Sequence, residues 1–220
     1  MAITTLNNLS INRSDTAAAD QLWTATSATA TDFQAAAAGG SWVLIKSQSI
    51  TSATADMDFV NGTADVIFDA TYKVYVLLIS DLLVATDNNK LEVRITTDTG
   101  STFKTSGYTT VGYESYYVSG GSQGNQNNAE TNSMLSILKT LGNEADQQAH
   151  GYMWFFNPAN TASLPTCESF FCYGQGSSNN TRFISGVGSY NTAGAYDGFK
   201  LILNSGDIAT MEASLYGIST

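Results

Sequence analysis

Charge is scarce in this chain. Lys, Arg, Asp and Glu supply only 13% of its 220 residues, about half of the ~25% usual in soluble domains. Acids outnumber bases 19 to 9, for a net charge of −10. A helical protein of this size covers its outer faces with Lys, Glu and Arg, whereas the Ser, Thr and Tyr that replace them here suit a pleated, half-exposed sheet. The acidic balance argues against nucleic acid as a partner, because that needs a clustered cationic face to release counterions from phosphate. It disfavours an anionic membrane in the same way. No window has the length of an apolar transmembrane helix, and residues 3–22 lack the apolar run of a secretory signal.

Histidine and cysteine are scarcer still, with one and two copies. Neither a histidine metal cluster nor a four-cysteine zinc site can be assembled from them. A histidine-centred triad has only His150 to use, no Gly-x-Ser-x-Gly elbow is present, and Gly120-Gly121-Ser122-Gln123-Gly124 lacks the strand-to-helix context of a phosphate loop. We read His150 as structural or surface-bound. Cys167 and Cys172 stand five apart on one expected strand, so they point to opposite faces and do not pair; both read as small core-filling residues. Asp56-x-Asp58 and Asp87-Asn88-Asn89 offer hard oxygen ligands but miss the calcium-loop pattern, and the turn reading is preferred. No catalytic residue, metal or cofactor is therefore assigned. Paired carboxylates could still cleave a glycoside, with Asp56, Asp58, Glu114 and Glu168 as the candidates, although their spacing singles out no pair.

What the chain does have is β-strand grammar. Residues 1–40 are low in complexity, rich in Ala and Thr, and read as an extended arm or a short helix. Ile3, Leu6, Leu9, Ile11, Leu22, Trp23 and Phe33 give this arm more apolar content than a linker needs, which suggests attachment or an oligomer contact. From residue 41 onward, short apolar runs alternate with Gly, Asn and Ser clusters. Strands are predicted at 41–46, 65–68, 72–79, 91–96, 152–156, 168–173, 181–187, 199–203 and 211–218. Residues 72–79 are apolar on both alternating sets and read as a central strand covered on both sides. Residues 91–96 alternate strictly, with Leu91, Val93 and Ile95 inward, and Gly100 turns them into a hairpin with 103–111. One segment has a helical period, 129–141, where Met134, Leu135, Leu138 and Leu141 share a face. The expected architecture is all-β: an antiparallel β-sandwich or jelly roll over residues 41–220, with one short helix and an N-terminal arm. Of the 11 tyrosines, Tyr108, Tyr113, Tyr116 and Tyr117 are gathered together and form a candidate surface-recognition cluster.

The closing residues Phe199-Lys200-Leu201-Ile202-Leu203-Asn204-Ser205-Gly206-Asp207-Ile208, followed by Leu215-Tyr216-Gly217-Ile218, resemble the C-terminal signature of virion surface proteins of tailed, often marine, phages. In that family an apolar strand, a Ser-Gly-[Asn/Asp]-Ile turn and a Leu-Tyr-Gly-Ile/Leu strand close the domain. The resemblance extends upstream through Ser49 to Phe59 and Phe68 to Tyr75, and so spans about residues 41–218. It implies a non-enzymatic virion structural protein that assembles as a homotrimer on the particle exterior. Its partners would be further copies of itself, the major capsid protein and, in a fibre tip, a host receptor. Fibre proteins carry a long shaft before this domain and only about 40 residues precede it here, which favours a capsid decoration or short appendage. The alternative is a tail-fibre tip or adhesin recognising host glycan or protein through loops around 106–128 and 174–194; a sandwich-fold glycoside hydrolase is the remote one.

Overall fold

The structure, a computed structural model, describes residues 21–25, 31–35, 41–118, 122–130, 135–175 and 180–219. The strands in chain order are β1 (Gln21–Ala25), β2 (Thr31–Ala35), β3 (Trp42–Ile50), β4 (Asp56–Val60), β5 (Val74–Val84), β6 (Asn89–Thr96) and β7 (Tyr108–Val118). They continue as β8 (Ser122–Glu130), β9 (Leu135–Leu141), β10 (Ala149–Phe156), β11 (Thr166–Gly174), β12 (Thr181–Tyr190), β13 (Gly198–Leu203) and β14 (Ile208–Ile218). Met1–Gly40 and Ser41–Thr220 are separate units. In the first, β1 and β2 pair as an antiparallel hairpin with Trp23 opposite Phe33, in place of the extended arm or short helix expected there.

The second unit is built from an eight-stranded sheet, β3-β14-β5-β10-β11-β12-β7-β8, and a four-stranded sheet, β4-β13-β6-β9. Setting aside the β7–β8 and β11–β12 hairpins leaves eight strands in the order first-eighth-third-sixth and second-seventh-fourth-fifth. That is the double Greek key of a jelly roll, so the sandwich expectation holds. The two hairpins are insertions that widen only the larger sheet.

Alternation explains the core. On β6, Leu91, Val93 and Ile95 are fully buried while Glu92 and Arg94 point outward. On β10 the inward set is Ala149, Met153 and Phe155. Phe155 of the larger sheet stacks on Phe199 of the smaller at 4.2 Å, Phe199 stacks on Phe59 at 5.3 Å, and Phe68 meets Phe155 and Phe199 edge-on. These rings weld the two layers. The closing signature has local reasons of its own. Gly206 has φ 71° in the short turn that carries the chain from β13 in one sheet to β14 in the other. Gly217 leaves room for the Tyr72 ring, which would lie 2.2 Å from an added Cβ.

Four strand-level expectations are corrected. No helix forms in the described part of 129–141: 129–130 close β8 and 135–141 form β9, paired to β6, while Met134 lies outside the described residues. Leu91 faces Leu138 and Asn89 faces Leu141, so three residues on β9 span two on β6, with Thr140 at φ 54°. This bulge turns both Leu138 and Leu141 inward, and a spacing of three in a bulged strand mimics a helical period. Residues 65–68 are turn and loop, although Val66 and Phe68 are buried. The 91–111 hairpin is not formed, because β6 and β7 belong to different sheets, joined near the turn by a single Thr96–Phe103 bridge. β5 is central, between β14 and β10, but its outer face is not fully covered: Leu78 is exposed.

Candidate functional site

The carboxylates proposed for glycoside cleavage are not brought together. Asp56 pairs with Lys200 at 2.8 Å on the outer side of the smaller sheet, where Asp58 is also exposed. Glu114 and Glu168 lie on the larger sheet, but on opposite faces: Glu114 pairs in register with the buried Ile184, whereas Glu168 stands among outward residues of β11. Asp87 accepts the Asn143 amide at 2.9 Å, and the Asn89 amide donates to Thr86, so this segment serves its turn. His150 is exposed and its Nδ1 accepts the Asp81 amide at 3.2 Å. Among the described residues no three of His, Cys, Asp and Glu converge as metal ligands.

The four tyrosines do not form one surface. All lie on β7, but Tyr108 and Tyr116 have the opposite parity to Tyr113 and Tyr117. Tyr108 is fully buried; its hydroxyl donates to the Lys104 carbonyl and accepts the Ile95 amide, both at 3.1 Å. Burial pushes that hydroxyl up to about 12. The surface role expected of Tyr108 is therefore overturned. Tyr116 lies under the Arg182 guanidinium, 4.3 Å from its ring centre. Tyr113 and Tyr117 are exposed as expected. The cysteines do face opposite ways, but only Cys167 fills the core, where burial raises its thiol far above the usual range; Cys172 is exposed, against the core-filling place expected of it. Leu22 and Trp23 fall on β1 and Phe33 on β2, while Ile3, Leu6, Leu9 and Ile11 lie outside the described residues. The segments expected as binding loops at 106–128 and 174–194 are largely β7, β8 and β12.

What the fold does assemble is the outer face of the larger sheet. Every large apolar side chain exposed among the described residues lies there, apart from Ile67 and Leu164. Strand by strand the face runs from Trp42 and Leu44 on β3 through Leu78 on β5 to Tyr152 and Phe156 on β10. It continues with Phe170 on β11, Phe183 and Val187 on β12, and Val111, Tyr113 and Tyr117 on β7. Tyr216 and Trp154 each meet Trp42, at 5.8 and 5.9 Å. From Trp154 the ring chain passes to Tyr152, then to Phe170 stacked at 5.8 Å, Phe183 stacked at 5.9 Å and Tyr113 at 6.1 Å. Val76, flanked in register by Trp154 and Tyr216 beneath this span, is fully buried although it points outward.

Beneath β7 and β12 the usual polarity is reversed. Here the inward positions carry an ionic lock: Arg182 Nη1 donates to Glu114 Oε1 at 2.6 Å, and the Tyr173 hydroxyl donates to the same oxygen at 2.7 Å. Burial, and then the bond to Glu114, hold the Tyr173 hydroxyl protonated far above its ordinary range. Arg182 also donates to Gln175, and its guanidinium covers Tyr116. An open hollow of about 470 Å³ lies at this end of the face, lined by Tyr116, Tyr117, Cys172, Arg182 and Phe183.

A scan against protein-family models, a search of curated proteins and a search of solved structures each return no match. The outer face is therefore read from its own residues. The sequence held a signal for it: on β10, Tyr152, Trp154 and Phe156 interleave with Met153 and Phe155, so both parities are apolar. That pattern reports a strand covered on two sides without saying what covers the second.

Proposed function

We propose that this chain is a non-enzymatic structural protein of a phage virion, an exterior capsid decoration or short-appendage protein that assembles as a homotrimer. The observation that carries the assembly half is the apolar outer face of the larger sheet. Monomeric soluble domains rarely expose contiguous apolar patches beyond a few hundred Å², and larger ones mark surfaces that another molecule covers. The virion half rests on the resemblance of the closing strands to phage surface proteins. An acidic exterior also suits a protein added from outside to a DNA-filled shell.

The adhesin reading draws on one specific feature, the hollow beside Arg182, where the exposed Tyr117 and Phe183 rings offer stacking surfaces to a host glycan. Locating the chain in a map of purified particles tests the proposal. Density for it on capsomers or a short appendage supports it, and particles without the chain overturn it. Binding of the purified protein to host cells or a glycan array, with no particle density on the shell, transfers the assignment to the adhesin.

A further inference from the structure

We propose that the outer face of the eight-stranded sheet is covered by a second copy of this chain. The inference deepens the assembly reading above by naming its surface, and rests on that reading only for assembly, not for the virion.

Three observations commit the face to self-association. The first is area. Taking ~150–250 Å² for a fully open large side chain, the exposed fractions on this face sum to on the order of 900 Å², against the ~800 Å² each partner brings to a standard stable interface. The second is shape. Strands about 4.8 Å apart carry the face from β3 to β7 across roughly 30 Å, wide enough to receive another sheet or its edge and too wide for a two-stranded hairpin such as β1–β2 to cover. The third is charge. In a chain of net charge −10, two copies repel through most of their surfaces, so they can meet only where acid is sparse. The rings from Trp42 to Tyr113 form such a zone, with Glu168 and Glu212 the exposed acids on the described strands of that face. A foreign partner recognised by charge would instead use the outer face of the smaller sheet, where Asp56, Asp58, Glu92, Arg94 and Lys200 stand.

The chain carries its own reporter. Cys172 is exposed on this face, opposite Phe183, while Cys167 is buried and silent. The test uses the full chain, with sedimentation for mass and a maleimide for the Cys172 thiol. Wild-type protein is expected to sediment as an oligomer, more firmly as salt rises, with Cys172 labelled on the order of tenfold more slowly than in a dissociated variant. Tyr152→Lys with Phe170→Lys places two cations on stacked, part-exposed rings, and should give a folded monomer with an open thiol. Val111→Lys, at the most exposed apolar position, serves if the double variant does not fold. Asp58→Lys, on the other sheet, should leave the oligomer intact.

An oligomer that survives the lysines on this face overturns the proposal, as does a monomeric wild type with a freely labelled Cys172. A monomeric wild type with a protected Cys172 also overturns it, and assigns the cover to residues 1–40 of the same chain. A monomer that is nevertheless present in particles defeats this inference and leaves the virion reading standing. An oligomer absent from particles does the reverse.

Discussion

The sandwich has two outer faces, made by the same alternation of residues along antiparallel strands, and they came out opposite. On the smaller sheet the outward positions of β4, β13 and β6 include Asp56, Lys200, Glu92 and Arg94, paired across strands or within them. On the larger sheet the outward positions carry Trp, Tyr, Phe, Leu and Val among a few Ser, Glu and Cys, with the rings joined one to the next. The reversal goes deepest in β7 and β12, where the buried side carries Glu114 and Arg182 and the open side carries Tyr113 and Phe183. An inner face answers to the core. An outer face answers to whatever it meets, and only the smaller sheet is dressed for water.

Removing the layer between the faces should have the largest effect. Phe199 is fully buried and touches Phe59 on its own sheet and Phe155 across the sandwich. Phe199→Ala is expected to cost ~3–5 kcal/mol in urea unfolding, because the cavity opens where the layers are joined. A loss under ~1 kcal/mol would mean that the sheets are held together elsewhere.

Next comes the reversed underside of the larger sheet. Arg182→Met leaves the fully buried Glu114 carboxylate without its counter-charge and should cost about 3 kcal/mol, most of it restored when Glu114→Leu is added. A double variant no better than the single would show that the lock contributes net stability. The charged face of the smaller sheet should respond far less. Lys200→Ala breaks the pair with a partly exposed Asp56, an expected ~0–1 kcal/mol that shrinks as salt rises.

The smallest effect belongs to Asp98 in the loop after β6. Its carboxylate accepts from Thr102 and Thr96 and is held at about 2 by those bonds, although it is only half-buried. A carboxylate lowered in the folded state stabilises above its unfolded pKa of ~3.9, and that stability is lost as pH falls through about 2. Unfolding midpoints should decline over that window, and less so in Asp98→Asn; identical profiles for the two proteins would remove Asp98 from the account.

Much of the fold was legible because strand periodicity is local. β6 shows its core face in the alternation of Leu91, Val93 and Ile95, and β10 to β14 lie close to their apolar runs. Two kinds of feature were not legible. A bulge shifts parity, so Leu138 and Leu141 looked helical; β8, made mostly of Ser, Gln, Gly and Asn, has no strand composition and is held by pairing to β7. Parity also splits neighbours, so the tyrosines clustered along residues 108–117 divide between the core and the open face. The candidate site is assembled from seven strands distant in sequence, and no window of the chain contains it.

The order of residues, by itself, determined an all-β sandwich with almost no histidine or cysteine for chemistry, because alternation, turn residues and composition are properties of neighbours. Only the tertiary structure decided that two inserted hairpins widen one sheet and that Tyr108 and Cys172 exchange their expected places. It alone, too, set the apolar outward side chains of β3, β14, β5, β10, β11, β12 and β7 on a single face. A side chain's outward direction is fixed by its own strand, but what it stands beside is fixed by pairings between strands as far apart in sequence as β3 and β14.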